Sequence, residues 1–104
     1  PDGRWIVSAS LDHTMKVWNV ESGRAIRTLE GHTGSVNGCA VSPNGRWIVS
    51  VSYDTTLKVW ELRTGQCLTT LAVEGSLARC TWHPDSQRLV AVGAGGVYFL
   101  RFVV

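Results

Sequence analysis

Residues 1–20 read PDGRWIVSASLDHTMKVWNV, and residues 43–62 read PNGRWIVSVSYDTTLKVWEL. The two stretches are identical at 13 of 20 positions. A weaker third copy, PDSQRLVAVGAGGVYFLRF, begins at Pro84, so the leading prolines of the three copies are 42 and 41 residues apart. The chain is therefore built from a repeated unit of about 40 residues.

Each copy consists of short runs rich in Val, Ile, Thr and Trp, separated by Gly, Pro, Asn and Asp, and no window has sustained helical periodicity. This pattern predicts an all-β fold in which each unit is a small antiparallel sheet with hairpin turns such as Asn44-Gly45. A period near 40 residues is typical of a β-propeller blade. The predicted strands are 4–9, 14–20 and 25–29 in the first unit, 35–42, 46–51, 56–62 and 67–72 in the second, and 77–82, 88–93 and 96–103 in the third.

These strands predict a partial propeller, with one complete four-stranded blade over residues 30–72 and incomplete blades over residues 1–29 and 73–104. Closed propellers have about 4–8 blades, so three units leave the ring open. The chain also begins inside a repeat and without an initiator Met. We therefore expect a piece of a longer protein whose N-terminal part is missing.

Composition limits the classes of function. The net charge is +2, and the ten basic residues are spread along the chain without a basic run. Nucleic-acid binding usually requires a clustered positive surface, so it is kept only as a second alternative. Three cysteines without a CxxC motif give no zinc or redox signature, and free thiols favour a reducing, cytoplasmic location. No apolar run of about 18 residues predicts a membrane span, and no cofactor or metal is expected.

Several residues recur at fixed offsets and together resemble the WD-repeat family of β-propellers. Gly31-His32 precedes the first strand of the middle unit, a Ser-x-Ser-x-Asp-x-Thr pattern runs from Ser50 to Thr56, and Lys58-Val59-Trp60 closes the third strand. The characteristic Trp-Asp pair is replaced by Trp60-Glu61. The resemblance implies a non-catalytic scaffold or sensor that binds proteins and forms part of a larger chain, whose remaining blades would be its neighbours.

In that family a loop His, a strand Ser or Thr, a turn Asp and the Trp form a hydrogen-bonded tetrad within each blade. By position, the tetrad of the middle unit is His32, Ser50, Asp54 and Trp60. The first unit retains Ser8, Asp12 and Trp18. The third unit has Ala91 and Leu100 in place of the Ser and the Trp, so the resemblance implies that it has no tetrad.

The resemblance also bears on the two ends of the chain. In propellers of this family the last blade often takes its outer strand from the N-terminus, and the third unit has three strands before it ends at Val104. The C-terminus is therefore expected to be natural. The close identity of neighbouring units is similar to the WD-repeat tails of large bacterial signalling proteins.

A different class of function is open for the same residues. His32, Ser50 and Asp54 are the residue types of a nucleophilic triad, so a propeller hydrolase is the principal alternative. Catalysis requires an exposed Ser, whereas a buried tetrad with Trp60 would satisfy all of these polar groups internally. The buried tetrad is favoured over the catalytic triad because the Trp60 indole N–H supplies the fourth member of the tetrad.

The residues expected to bind a partner lie where near-identical units differ. Leu11 and Tyr53 both stand just before the turn Asp and are different residues in matching contexts. In the family this position, together with two on the innermost strand, lies on the top face and commonly contacts partners. By position the strand residues are Ser35, Asn37, Ser76 and Ala78. The alternative is that Leu11 and Tyr53 differ because nothing constrains them.

Overall fold

The computed structural model describes residues 5–9, 12–19, 22–85 and 87–102. All regular structure in these residues is β-strand. The strands are β1 (Trp5–Ala9), β2 (Met15–Asn19), β3 (Ala25–Leu29), β4 (Val36–Val41), β5 (Trp47–Ser52), β6 (Thr56–Glu61), β7 (Cys67–Ala72), β8 (Leu77–Trp82), β9 (Arg88–Gly93) and β10 (Gly96–Arg101). In this part of the chain no helix is long and apolar enough to cross a membrane.

The strands form three antiparallel sheets, each built from consecutive hairpins. Unit 1 contains β1 to β3, unit 2 contains β4 to β7, and unit 3 contains β8 to β10. This arrangement confirms the predicted all-β fold of one four-stranded sheet between two three-stranded ones. Each described strand also lies within two residues of its predicted bounds.

Unit 2 lies between the other two, and its strand β5 is buried on both faces, whereas its outer strand β7 is largely exposed. Successive side chains of a strand point to opposite faces, so β5 sends Ile48 toward unit 1 and Val49 toward unit 3. Both are fully buried. Fully burying one such side chain contributes about 1.5–3 kcal/mol, which explains why four of the six residues of β5 are apolar.

Side chains also join units 2 and 3 through hydrogen bonds. The Asn37 amide donates to the Leu77 carbonyl at 2.8 Å, and the Trp82 indole N–H donates to the Ala40 carbonyl at 3.1 Å. Close approach of β4 and β8 requires a small residue, because a Cβ atom at Gly38 would lie 3.2 Å from the carbonyl oxygen of the neighbouring strand. Strands β4 and β8 are therefore held together by backbone contact as well as by apolar packing.

Candidate functional site

A chain of four polar side chains crosses unit 2 from its third strand to its β5–β6 turn. The Trp60 indole N–H donates to Ser50 Oγ at 2.9 Å, and Ser50 Oγ lies 2.6 Å from His32 Nε2. The opposite ring nitrogen, His32 Nδ1, lies 2.8 Å from Asp54 Oδ2. A carboxylate only accepts, so Nδ1 carries the proton of the neutral ring and the Ser50 hydroxyl donates to Nε2. The structure thus brings together the four residues that the sequence singled out.

The Asp54 carboxylate also fixes the surrounding backbone. Its Oδ2 accepts from the Thr33 N–H at 3.0 Å, and its Oδ1 accepts from the Thr56 N–H at 2.9 Å and from the Thr56 hydroxyl. Thr33 precedes β4, whereas Asp54 and Thr56 belong to the turn after β5 and the start of β6. One buried carboxylate therefore holds two loops at a fixed separation.

Within this chain of four polar side chains, the His32 imidazole is neutral and the Asp54 carboxyl group is charged. Burial lowers the pKa of His32, Lys58 lowers it further, and these effects outweigh the hydrogen bond and charge of Asp54. Burial alone would raise the pKa of Asp54. Hydrogen bonds from Thr56, His32 and Thr33 more than offset burial and hold that pKa well below its usual range. Near neutral pH the pair is therefore a neutral His donating to a carboxylate.

The same order of donors and acceptors occurs in a catalytic triad, but here a substrate cannot reach the serine oxygen. Ser50 has no exposed surface, and its oxygen already accepts the Trp60 N–H. A nucleophilic serine has to contact an acyl carbon, and this oxygen has no open space in front of it. The geometry therefore does not support the hydrolase alternative with His32, Ser50 and Asp54.

Unit 1 retains part of the tetrad. The Trp18 indole N–H donates to Ser8 Oγ at 2.9 Å, as in unit 2, but Ser8 is exposed. Asp12 binds within its own turn, where its Oδ1 accepts from the Thr14 N–H at 3.1 Å and from the Thr14 hydroxyl at 2.6 Å. The indole–hydroxyl pair and the aspartate turn therefore form independently of a histidine.

Unit 3 has no polar chain at the equivalent positions. Ala91 is fully buried, and Leu100 is half-buried against the same core as Ala91. The turn between β9 and β10 is Ala94-Gly95, one residue shorter than residues 53–55 in unit 2. The shorter turn therefore lacks the position that Asp54 occupies in unit 2.

The other predicted positions lie along one edge of units 2 and 3, here called the upper rim and defined by Ser35, Asn37, Tyr53, Ser76 and Ala78. Tyr53 is 65% exposed, and its N–H donates to the Ser35 carbonyl at 3.0 Å. Asn37 is exposed although its amide reaches Leu77, and Ala78 is exposed. Ser76 is half-buried. Leu11, also predicted to bind a partner, lies outside the described residues.

The opposite edge carries a groove that sequence reasoning missed. The lower groove is a cavity of about 390 Å³ between units 1 and 2, lined by Ile26, Arg27, Gly45, Arg46, Glu61, Leu62 and Arg63. Among the described residues none of its three arginines forms an ion pair, and the buried Arg27 Nε has no hydrogen-bond partner. The arginines are far apart in sequence, so only the stacking of units gathers them.

The cysteines are free and take part in packing. The Cys39 thiol donates to the Val7 carbonyl at 3.8 Å, and the Cys80 thiol donates to the Val49 carbonyl at 3.9 Å. Burial raises the pKa of Cys39, and burial together with the neighbouring Cys39 raises the pKa of Cys80 to about 12. In the described ranges no group of three or more His, Cys, Asp or Glu side chains is arranged to hold a metal ion.

Stacked antiparallel units of three or four strands, one of which contains an internal Trp–Ser–His–Asp chain, define a propeller-type repeat protein. The family model "WD domain, G-beta repeat" matches residues 1–19 and 23–61, and the chain belongs to this WD-repeat family. Repeats of this family typically serve as protein-interaction scaffolds.

Curated relatives show the same likeness over single repeats. The chain is 40% identical over 42 residues to protein MAK11 of Saccharomyces cerevisiae and 46% identical over 41 residues to nuclear distribution protein PAC1 of Arthroderma otae. It is 56% identical over 34 residues to F-box/WD repeat-containing protein 7 of Drosophila melanogaster. These matches cover 40%, 39% and 33% of this chain but 10%, 9% and 3% of the relatives. The chain therefore corresponds to a small part of each relative.

Proposed function

We propose that this chain is a non-catalytic protein-binding scaffold or sensor and that its upper rim contacts the partner. The observation that carries the proposal is Tyr53, a large aromatic side chain that is 65% exposed at the tip of a turn. Tyrosine is enriched in protein interfaces because it combines apolar area with a polar tip. Here it stands on a backbone that the polar chain holds in place.

The rigidity of the turn supports this proposal. Asp54 N–H donates to Ser52 Oγ at 3.0 Å, and Ser52 Oγ in turn donates to the Ser35 carbonyl at 2.9 Å. The residues on both sides of Tyr53 are thus tied to unit 2 through buried groups. A partner that binds a preorganised side chain loses less conformational entropy on association than one that must order a loop.

The proposed surface extends along the rim from Tyr53. Ser35 adjoins Tyr53 through a backbone hydrogen bond, and Asn37 reaches across to β8, next to Ser76 and Ala78. Leu11 is the counterpart of Tyr53 in unit 1 and remains part of the proposal. A cytoplasmic location, as part of a larger protein, is also proposed. The three free cysteines support that location, because thiols persist in reducing compartments.

The test places a photo-crosslinking amino acid at position 53 of the full chain and, in a matched control, at position 63 of the lower groove. We expect a specific protein adduct from position 53 only. Calorimetry with the captured protein should then give at least about fivefold weaker binding for Tyr53→Ala, about 1 kcal/mol, with unchanged thermal unfolding. If Arg63→Ala abolishes binding while Tyr53→Ala leaves it unchanged, the partner site is the lower groove.

A further inference from the structure

The lower groove gathers positive charge from three separate segments of the chain. Arg27 lies on β3 of unit 1, whereas Arg46 lies in the turn before β5 and Arg63 in the turn after β6. Glu61 is the acidic residue among the described lining residues, and its Oε1 accepts from the Thr64 hydroxyl at 2.8 Å. Three arginines and one glutamate leave a surplus of two positive charges around one cavity.

Arg27 is the least hydrated of the three arginines. It is half-buried, and its Nε is enclosed without a hydrogen-bond partner, whereas Arg46 and Arg63 are exposed. Its side chain passes close to Gly65, because a Cβ atom at that glycine would lie 3.3 Å from Arg27 Cδ. A guanidinium group that has lost part of its hydration and has no counter-ion in the described part of the chain gains more from an anion than a fully hydrated one.

The arginines also offer hydrogen-bond donors in a suitable geometry. The guanidinium carbon of Arg46 lies 4.5 Å from the centre of the Trp47 ring, and this cation–π contact positions the side chain while leaving its N–H groups for other partners. Each guanidinium group has five N–H donors in a planar fork, which matches the oxygen atoms of a phosphate or carboxylate in pairs. The groove is therefore suited to an oxyanion.

The dimensions and walls of the groove indicate a small organic ligand. Its volume of about 390 Å³ falls within the range of about 300–1,000 Å³ that is typical of small-molecule pockets. Ile26 and Leu62 add apolar surface beside the arginines. A nucleic acid would instead require a basic surface that extends along the molecule.

We propose that the lower groove binds a small phosphate monoester, with its phosphoryl group on Arg27 and Arg63 and its organic part against Ile26 and Leu62. A phosphate monoester carries about 1.5–2 negative charges near neutral pH and has three acceptor oxygen atoms, which matches the surplus of two positive charges. A carboxylate carries a single charge and would leave part of the surplus uncompensated. The ligand would contact units 1 and 2 at once, and its binding is independent of the protein partner on the upper rim.

The first test is calorimetric titration of the 104-residue chain with phenyl phosphate, whose ring supplies the organic part. We expect phenyl phosphate to bind at least about tenfold more tightly than benzoate, which joins the same ring to a single charge, and more tightly than inorganic phosphate. No binding of phenyl phosphate, or equal affinity for benzoate, overturns the proposal. Binding to phosphoinositide vesicles without binding to phenyl phosphate would assign the groove to a membrane and also overturns it.

The second test locates the site with charge-matched variants. Arg27→Gln and Arg63→Gln should each weaken the binding of phenyl phosphate at least about tenfold, and Arg27→Lys, which keeps the charge but not the planar fork, should have an intermediate effect. The control is Arg79→Gln, which removes the same charge from an exposed position on β8 and should leave the affinity unchanged.

Folding is controlled separately in these variants. Arg63 lies in an exposed turn, so a loss of binding in Arg63→Gln with an unchanged circular dichroism spectrum is due to the lost contact. In amide NMR spectra, phenyl phosphate should shift the signals of Arg27, Arg46 and Arg63. Equal weakening by Arg79→Gln, or shifts confined to residues outside the groove, would show non-specific attraction or another site and contradict the proposal.

Discussion

The Ser50 hydroxyl group satisfies two buried nitrogen atoms at once. It accepts from the Trp60 indole and donates to the His32 ring, and it has no exposed surface through which water could replace it. A buried polar atom that loses its partner retains its full desolvation cost. The contribution of this hydroxyl to stability therefore comes chiefly from the groups that it would leave unpaired.

Ser50→Ala should lower the free energy of unfolding by about 1–3 kcal/mol, because it leaves the Trp60 N–H and His32 Nε2 without partners in the interior. Urea unfolding followed by tryptophan fluorescence measures the change. The matched control is Ser8→Ala, which removes the same 2.9 Å indole–hydroxyl bond at an exposed position. Its effect should be below about 0.5 kcal/mol. Equal losses in the two variants would contradict this account.

Acidification should destabilise the chain in two stages. Unfolded His32 takes up a proton near its ordinary pKa of about 6.5, whereas folded His32 has a lowered pKa and does not, so the free energy of unfolding falls below about pH 6.5. Asp54 has a depressed pKa in the fold, so its contribution is present above about pH 3.9 and is lost on further acidification. Urea unfolding at a series of pH values measures both stages.

His32→Gln tests the first stage, because it removes the titrating ring and should flatten the stability profile between about pH 6.5 and 5. His13→Asn is the control: His13 lies in an exposed turn with a φ of 76°, which asparagine tolerates. A charged His32 paired with Asp54 would instead make stability rise on acidification. Such a rise would show that the proposed protonation states are wrong.

At the scale of elements, the β5–β6 turn contains a backbone conformation that its residue disfavours. Thr55 has a φ of 69°, in the left-handed region, and a β-branched side chain there is strained. His13 occupies the equivalent place in unit 1 with a φ of 76°. The turn therefore requires this conformation in both units, and the surrounding hydrogen bonds hold Thr55 in it.

Replacing Thr55 with a residue that tolerates positive φ should stabilise the chain. Thr55→Asn is expected to raise the free energy of unfolding by about 0.5–1 kcal/mol, because the left-handed region costs most L-residues roughly 1–2 kcal/mol. Thr55→Ala is the comparison, since alanine shortens the side chain but retains the penalty at positive φ. Thermal and urea unfolding measure both variants. A gain in Thr55→Ala as large as that in Thr55→Asn would assign the strain to the side chain instead.

The strands themselves could be predicted from the sequence, and the irregularities between them could not. The alternation of apolar residues and the turn dipeptides place β5 and β6 directly. The register shift between Val36 and Gly38 is marked only by a glycine inside the strand, and the shift between Leu77 and Arg79 has no glycine to mark it. They depend on the close approach of β4 and β8, which exists only after the units stack.

At the scale of the whole molecule, the tetrad and the lower groove show where sequence reasoning succeeds and where it ends. The repeat aligns Ser50, Asp54 and Trp60 with Ser8, Asp12 and Trp18 of unit 1, and the resemblance to the WD-repeat family adds His32 to them. The groove joins Arg27 of unit 1 with Arg46 and Arg63 of unit 2. A linear inspection of scattered basic residues could not show that the stacking of two sheets collects them at one edge.

Unit 3 shows which parts of a repeat can change while its sheet is kept. It keeps the strand order and the register shift of unit 2 although Ala91 and Leu100 replace the tetrad residues and its turn is shorter. The polar chain is therefore not needed to specify the sheet; it fixes the outline of the loops above it. A repeat that keeps the four residues keeps the loop conformation that they fix. A repeat that lacks them can change its loops while its sheet stays the same.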